Sequence, residues 1–165
     1  MELEYDPRES DALACVARHL ARRLDGACLI RYRVRSGELV PVAMDHVRPE
    51  PRAWMRWLRQ RSHGRFTDAF GARIIQRTQP ILIPTVSSAT LRLWMDPTWS
   101  AYLDRYAVCT FMIVPARSGR RLIGSISTWR EQPADGFDEY DLSYLMEAAS
   151  DLANALSRKP RVGPG

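Results

Sequence analysis

The segment Tyr106–Trp129 decides the fold of this chain; it reads YAVCTFMIVPARSGRRLIGSISTW. Two runs rich in apolar and β-branched residues flank the short polar stretch Ala116–Arg121, a pattern that is typical of a β-hairpin. We expect Pro115 to close the first strand and Gly124 to lie early in the second. The sequence after the hairpin leads through Phe137 into a long amphipathic helix. The stretch therefore predicts two adjacent antiparallel strands followed by a helix.

The bulk properties of the chain indicate one globular domain. Its 165 residues are 45% hydrophobic and 26% charged, which fits a soluble protein with a sizeable core. No apolar run approaches the ~20 residues that a membrane-spanning helix needs, and the acidic N-terminus lacks the apolar core of a signal peptide. We therefore expect no membrane association and a cytoplasmic location. The sequence predicts a single domain over residues 1–158 and a flexible tail or linker over the proline- and glycine-rich residues 159–165.

Apolar periodicity predicts a helix at each end of the chain. The first helix is expected to end at Asp25 and Gly26, with Gly26 in the left-handed conformation. Asp138, with Asp141 three residues later, is expected to cap the last helix. The apolar stripes of the two helices consist of Leu13, Val16, Ala17, Leu20 and Leu24 in the first and of Leu142, Leu145, Met146, Ala149, Leu152, Ala153 and Leu156 in the last.

The middle of the chain carries the remaining elements. They are, in order, a strand over 28–34, a strand over 38–44, a helix over 49–61 with Trp54, Trp57 and Leu58 on one side, a short helix over 71–78, a short strand over 80–84 and an irregular segment over 85–105. Strands that are joined by hairpins imply an antiparallel sheet. The helices at the chain ends must cover one face of this sheet, and the middle of the chain must cover the other.

Four features together resemble the C-terminal half of a GAF domain: a strand that ends in Pro115, a glycine-containing turn, a second strand with Ile123 and Gly124, and a capped helix preceded by Phe137. The resemblance extends over nearly the whole chain and is strongest over residues 106–157. It implies an α+β, GAF/PAS-like fold. Such a fold has a central antiparallel sheet of five to six strands, terminal helices on one face, and short helices and loops over a ligand pocket on the other.

The resemblance also implies a function, because GAF domains are sensory and dimerisation modules of bacterial signalling proteins. We expect a non-catalytic regulatory domain that binds a small molecule. It would transmit the signal through a homodimer of its terminal helices to an effector such as a histidine kinase or a transcription regulator. Two alternatives remain, a ligand-free protein-interaction module and a GAF-type methionine sulfoxide reductase. No catalytic constellation is visible in the sequence, since the acids between Asp135 and Asp141 lie at a helix start and serve as caps.

The pocket wall is expected on the second hairpin strand, where side chains alternate between the two faces of the sheet. One set, Ser125, Ser127 and Trp129, carries two hydroxyls and an indole and should face the pocket. The other set, Leu122, Gly124, Ile126 and Thr128, is mostly apolar and suits the helix-packed face. The hairpin alignment adds Cys109 to the pocket side, and Trp94 is available as part of a roof. The candidate ligand-binding residues are Phe111, Ile113, Ser125, Ser127 and Trp129 in the wall and Trp99, Tyr102 and Tyr106 in the roof. An apolar pocket and an apolar core share one sequence pattern, so the alternative that these side chains fill the space without a ligand stays open.

Comparison with the GAF subclasses leaves the cofactor unknown. Thr98 and Trp99 occupy the positions of the Cys-His pair of the bilin-binding photoreceptors, which argues against a covalent bilin and favours aromatic packing for Trp99. The Asn-Lys pair of the cyclic-nucleotide-binding members is absent from the matching stretch. Haem would need an axial histidine, and His19, His46 and His63 are candidates only by default, so haem is not expected either.

The three cysteines, Cys15, Cys28 and Cys109, are far apart in the chain and are interpreted as buried thiols in a reducing compartment. Cys109 lies inside an apolar strand, where burial raises the pKa of a thiol and lowers its reactivity. This position argues against the reductase alternative.

The segment 48–65 is the most basic part of a chain whose net charge is +5. Trp54 and Trp57 are interleaved with its six arginines, which are Arg48, Arg52, Arg56, Arg59, Arg61 and Arg65. We interpret the arginines as a solvated helix face, with an anionic ligand or an acidic partner as the alternative. Nucleic acid is not an expected partner, because the segment carries no recognition motif.

Overall fold

The computed structural model describes residues 7–61, 74 and 76–158. The tail predicted over 159–165 and half of the short helix predicted over 71–78 lie outside these residues. The described elements are α1 (Pro7–Arg23), β1 (Ala27–Arg33), β2 (Leu39–His46), α2 (Pro49–Arg61), β3 (Ile81–Ile83), α3 (Ser88–Trp94), a 3-10 helix (Pro97–Trp99), α4 (Ser100–Arg105), β4 (Val108–Ser118), β5 (Arg121–Glu131) and α5 (Glu139–Ser157).

The five described strands form one antiparallel sheet in the order β2-β1-β5-β4-β3. The predicted hairpin is the β4–β5 pair, and it turns at Gly119, whose φ is +60°. The prediction that Pro115 closes the first hairpin strand is wrong, because β4 continues to Ser118 and Pro115 pairs with Ser125. Proline is tolerated there since β3 pairs with β4 only over Phe111–Ile113, so the later part of β4 lies at the sheet edge.

Both terminal helices pack on the same face of the sheet, which we call the α1/α5 face. This arrangement confirms the predicted layering. The buried residues that meet there come from α1 (Leu13, Ala17, Leu20, Ala21, Leu24), from α5 (Leu145, Ala149, Ala153) and from the strands (Cys28, Ile30, Ala43, Met112, Val114, Ala116, Ile123, Ile126). Each fully buried Leu or Ile contributes roughly 1.5–3 kcal/mol of burial free energy, so this cluster is a main source of stability.

The opposite face of the sheet packs against α2, α3 and α4, and we call it the α2 face. Met55 and Leu58 of α2 belong to the buried cluster on this face, whereas Trp57 is 40% exposed. Trp54 and Trp57 lie on one side of α2 as predicted, with ring centroids 5.5 Å apart, but Trp57 is not turned into the core. The helix turns Met55 inward instead, because Met55 and Leu58 are three residues apart and lie on the same side of the helix.

A β-bulge in the hairpin moves one predicted side chain to the other face. Arg117 pairs with Leu122, but the preceding residue Ala116 pairs with Gly124, so Ile123 is an extra residue in β5. Leu122 consequently packs on the α2 face and Ile123 on the α1/α5 face. The prediction that Leu122 faces the terminal helices is wrong for this reason, while Ile126 lies on the predicted face.

The ends of the terminal helices show one correction and one confirmation. Asp25, not Gly26, takes the left-handed conformation after α1, with φ of +52°. Gly26 is needed for a different reason, because a Cβ there would lie 2.2 Å from the carbonyl oxygen of Trp129. At α5 the capping box is present as predicted: Asp138 accepts from the Asp141 amide, and Asp141 accepts from the Asp138 amide.

Candidate functional site

The α2 face of the sheet holds two kinds of side chain at its centre. Strand register places Trp129 opposite Ala27, Ser127 opposite Leu29 and Ser125 opposite Arg31. On the other side of β5, Phe111 pairs with Trp129 and Ile113 with Ser127. The face therefore divides into an aromatic half, made of Phe111, Trp129, Trp99, Tyr102 and Tyr106, and a polar half, made of Arg31, Ser125 and Ser127.

The aromatic half is a cluster of rings in direct contact. Trp99 meets Trp129 edge to face with ring centroids 5.6 Å apart, and Tyr102 meets Trp129 in the same way at 6.1 Å. Phe111 lies nearly parallel to Trp129 at 6.3 Å, and Tyr106 packs on Tyr102 at 4.9 Å. Offset and edge-to-face arrangements at these distances are favourable aromatic contacts. The structure thus brings these five predicted residues together, with the predicted roof seated on the predicted wall.

A buried hydrogen-bond network lies beside the rings. The indole nitrogen of Trp129 donates to the Tyr102 hydroxyl at 3.2 Å, and that hydroxyl donates to Glu131. His46 donates from Nε2 to Glu131 at 2.9 Å, and Arg48 donates from Nη2 to the same carboxylate at 2.7 Å. His46 of β2, Tyr102 of α4 and Arg48, which precedes α2, thus converge on the Glu131 carboxylate, and Trp129 joins them through the Tyr102 hydroxyl.

The network shifts the acidity of its members. Burial alone would raise the pKa of Glu131, but the hydrogen bonds from His46, Tyr102 and Arg48 outweigh it and hold that pKa below its ordinary value. Burial and the adjacent Glu131 carboxylate raise the pKa of Tyr102. Sequence reasoning did not identify Glu131, and it named His46 only as a default candidate for an axial haem ligand. The signal that could have placed Glu131 is the alternation along β5: it follows Ser127 and Trp129 in steps of two residues and so faces the same side of the sheet.

The polar half is buried as deeply as the aromatic half. Besides its other contacts, Arg31 donates from Nη1 to Ser127 Oγ at 3.2 Å and is 6% exposed. Ser125 is 0% exposed, and its Oγ has no hydrogen-bond partner in the described part of the chain. Arg31 is absent from the predicted site. Its position two residues after Leu29, which faces the same way, was the signal that could have placed it there.

Other predicted positions fall outside this site. Trp94 stays 38% exposed, so it is not a buried roof residue. Cys109 is the extra residue of a second β-bulge, since Val108 pairs with Glu131 and Thr110 with Arg130. Its Sγ lies 3.8 Å from the carbonyl oxygen of Ala134. Cys109 therefore leaves the simple alternation that had placed it beside Ser125.

The positions that were weighed for cofactors have structural roles. Thr98 donates from both its amide and its hydroxyl to Asp96, which caps the 3-10 helix. Both ring nitrogens of His46 are engaged, since Nδ1 accepts from the Arg48 amide at 2.9 Å while Nε2 donates to Glu131. His19 is on the surface beside the Tyr144 hydroxyl at 3.0 Å, and His63 lies outside the described residues. No group of three potential metal ligands occurs within the described ranges.

The cysteines only partly match the prediction. Cys28 and Cys109 are buried, and burial raises the pKa of each thiol. Cys15 is exposed on α1, so the prediction of a third buried thiol is wrong. Its place in the helical pattern is on the side of α1 that turns away from the sheet.

Two arginines of the basic segment turn toward carboxylates at the ends of β2 and β5. Arg48 contacts Glu131, and Arg52 pairs with Asp45 at 2.7 Å. Arg56 and Arg59 are exposed, as a solvated helix face requires, and Arg65 lies outside the described residues. The ion pair between Arg52 and Asp45 thus holds α2 against β2, so the segment is not only a solvated helix face.

The outer surfaces of α1 and α5 form a shallow groove of about 610 Å³. It is lined mainly by apolar side chains, including Val16 and Leu20 from α1 and Ala148 and Leu152 from α5. Cys15 also borders it. Its lining residues come from α1 and α5.

The family model of the GAF domain matches residues 9–156 of this chain. The chain belongs to the GAF domain family. Members of this family are sensory and regulatory domains and are generally non-catalytic. No curated protein matches the chain significantly. In the described part of this GAF domain, no helix is both long and apolar enough to cross a membrane.

Solved structures of GAF domains share the fold. The GAF domain is similar to that of an Acinetobacter phosphoenolpyruvate-protein phosphotransferase, with 18% identity, a TM-score of 0.66, and coverage of 94% of this chain and 86% of that one. It is also similar to a domain of a putative two-component sensor histidine kinase from Sinorhizobium meliloti, with 13% identity, a TM-score of 0.63, and coverage of 94% and 93%. The second GAF domain of DevS from Mycobacterium smegmatis matches with 15% identity, a TM-score of 0.59, and coverage of 92% and 94%.

Proposed function

We propose that this GAF domain is a non-catalytic, cytoplasmic sensory domain that binds a small molecule over the polar half of the α2 face. The observation that carries the proposal is Ser125, whose hydroxyl is fully buried and has no partner among the described residues. Leaving a buried hydroxyl unpaired costs about 1–3 kcal/mol, and native proteins rarely keep such groups without a reason. A ligand that accepts a hydrogen bond from Ser125 would supply the reason.

The signal would leave the domain through a dimer of its terminal helices. Leu142, Leu152 and Leu156 of α5 are only half-buried. Together with the groove between α1 and α5, these side chains form an apolar surface that a second copy of this chain can cover. Such a dimer would place the terminal helices of two protomers in one four-helix packing.

Strand β5 offers a direct physical connection between the two surfaces. Ser125 points to the α2 face, and its neighbour Ile126 packs among the terminal helices on the other face. A ligand that shifts β5 at Ser125 therefore also moves a side chain that α1 and α5 rest on. This coupling is the route we propose to an effector such as a histidine kinase or a transcription regulator.

Native mass spectrometry of freshly purified protein tests the ligand-binding half of the proposal. We expect a small molecule that co-purifies, or one in a metabolite panel that raises the melting temperature. Ser125→Ala should weaken that response, while Thr128→Ala should leave it intact. Thr128 is a matched control because its hydroxyl is also buried without a partner in the described residues, but it lies on the α1/α5 face. Ligand binding would be refuted if the measured mass were that of the bare chain and the melting temperature stayed unchanged across the panel.

A ligand-free interaction module is the second candidate, and one observation favours it. Trp99 and Tyr102 sit directly on Trp129, so the aromatic half has the contacts of a packed core. In that case Ser125→Ala would change no ligand response, and the dimer surface alone would carry the function. The two candidates are separated by the panel experiment described above.

A further inference from the structure

We propose that the ligand of this domain carries a carboxylate, and that Arg31, Ser125 and Ser127 hold it. The inference rests on the proposed function and specifies which chemical class the polar half of the α2 face selects. The three side chains lie on adjacent strands in register, with Arg31 opposite Ser125 and Ser127 opposite Leu29. Directly opposite residues have Cβ atoms about 4.5–5.5 Å apart, so one carboxylate can reach both Arg31 and Ser125.

The polar half is rich in hydrogen-bond donors. The Arg31 guanidinium can only donate, and Ser127 Oγ already accepts from it at 3.2 Å, so the Ser127 hydroxyl is left to act as a donor. The buried Ser125 hydroxyl has no acceptor within the described residues. A ligand group that only accepts is the complement of such a set. An ionised carboxylate accepts at about four lone-pair positions and donates none.

Charge separates a carboxylate from a neutral carbonyl group. Arg31 is 6% exposed, and a charge-assisted hydrogen bond in a water-poor setting is about twice as strong as a neutral one. The planar guanidinium also matches a carboxylate in a two-pronged contact.

The neighbours of the polar half indicate what the rest of the ligand resembles. Leu39, Ile113 and Leu122 are buried on the same face and belong to the same apolar cluster. Ile113 pairs with Ser127 across the hairpin, and Leu39 pairs with Arg33 at the end of β1 that carries Arg31. Apolar walls around a few convergent polar groups are typical of small-molecule sites. The ligand is accordingly a small monocarboxylic acid with an apolar body.

The test uses the whole chain and a panel of matched probes: straight-chain monocarboxylates from acetate to octanoate, benzoate, the primary amide of each acid, and phenyl phosphate. Binding is measured by isothermal titration calorimetry and by the shift in melting temperature. We expect at least one carboxylate to bind about tenfold or more tightly than its amide, as the loss of a charged hydrogen bond predicts. Arg31→Gln and Ser125→Ala should each lower the affinity for that carboxylate by a similar factor.

Two controls keep the outcome interpretable. Thr128→Ala removes an equally buried hydroxyl from the opposite face of β5 and should leave carboxylate affinity unchanged. Ser125→Ala removes only a hydroxyl that has no partner among the described residues, so this variant is expected to fold even where Arg31→Gln does not. A carboxylate whose affinity is the same in Ser125→Ala and in the parent protein would overturn the inference.

The remaining outcomes distinguish this inference from the proposed function. If an amide or another neutral metabolite binds in a Ser125-dependent manner while carboxylates do not, the carboxylate assignment is wrong and the sensory function stands. Binding of phenyl phosphate in preference to every carboxylate also overturns the assignment. If neither the probes nor any metabolite binds, both the inference and the ligand-binding function fail.

Discussion

Glu131 accepts a hydrogen bond from His46 at 2.9 Å in the interior of the domain, where their side chains are 3% and 0% exposed. Because the Arg48 amide donates to the other ring nitrogen of His46, the neutral tautomer with the proton on Nε2 satisfies both contacts. The pair joins the last residue of β2 to the last residue of β5, two strands that flank β1. With Tyr102, it also ties α4 to the sheet.

Replacing Glu131 by Ala should cost about 3–5 kcal/mol of unfolding free energy, as removal of one partner from a buried charged network does. His46, Tyr102 and Arg48 would each lose their acceptor. Urea denaturation at neutral pH measures the change. The control is Asp135→Asn at an exposed position, which should stay within about 0.5 kcal/mol of the parent protein. A loss below 1 kcal/mol for Glu131→Ala would show that the network does not stabilise the fold.

The same carboxylate should make stability depend on pH in the acid range. Its pKa is lower in the folded than in the unfolded chain, so its contribution is present above the ordinary pKa of glutamate and is lost as the pH falls through the folded value. We expect the stability difference between the parent protein and Glu131→Gln to shrink below about pH 4. Denaturation series at pH 7 and pH 3.5 test this, and a difference that stays constant would contradict the assigned direction.

Gly26→Ala should destabilise the domain by about 2 kcal/mol or more, since overpacking against backbone is poorly relieved. A Cβ at this position would lie 2.2 Å from the Trp129 carbonyl oxygen. Asp25→Gly is the matched control on the neighbouring residue. Asp25 already has a φ of +52°, which glycine adopts without strain, so this change should be near neutral. Thermal unfolding of both variants gives the comparison, and equal effects would disprove the distinction between the two positions.

Leu152→Arg should abolish the proposed dimer, because a charge in the α1/α5 groove cannot be buried against a second apolar groove. Light scattering coupled to size exclusion should give twice the chain mass of 18.9 kDa for the parent protein and the single mass for the variant. Leu93→Arg is the control, since Leu93 is 82% exposed on α3 and lies away from the groove. A parent protein that stays monomeric at high concentration rules out the dimer.

Local signals in the sequence predicted most elements correctly. The β4–β5 hairpin, β3 and the Asp138–Asp141 capping box follow from short-range rules of turns, alternation and capping, which involve residues only a few positions apart. The errors arose where tertiary contacts override those rules. Gly26 is required by the Trp129 carbonyl of a distant strand, and Leu122 changes face because of a bulge that the alternation pattern does not reveal.

By itself, the sequence determined the alternation that sets Ser125, Ser127 and Trp129 on one side of β5, and the helical stripes that cover the other face. Only the tertiary structure decided that β1 lies beside β5 in the register that places Arg31 against Ser125, and that Glu131 meets His46. The physical reason is that strand register follows from the simultaneous burial of both faces of the sheet. Arg31 and Ser127 are 96 residues apart in the chain, and no local pattern carries information across that distance.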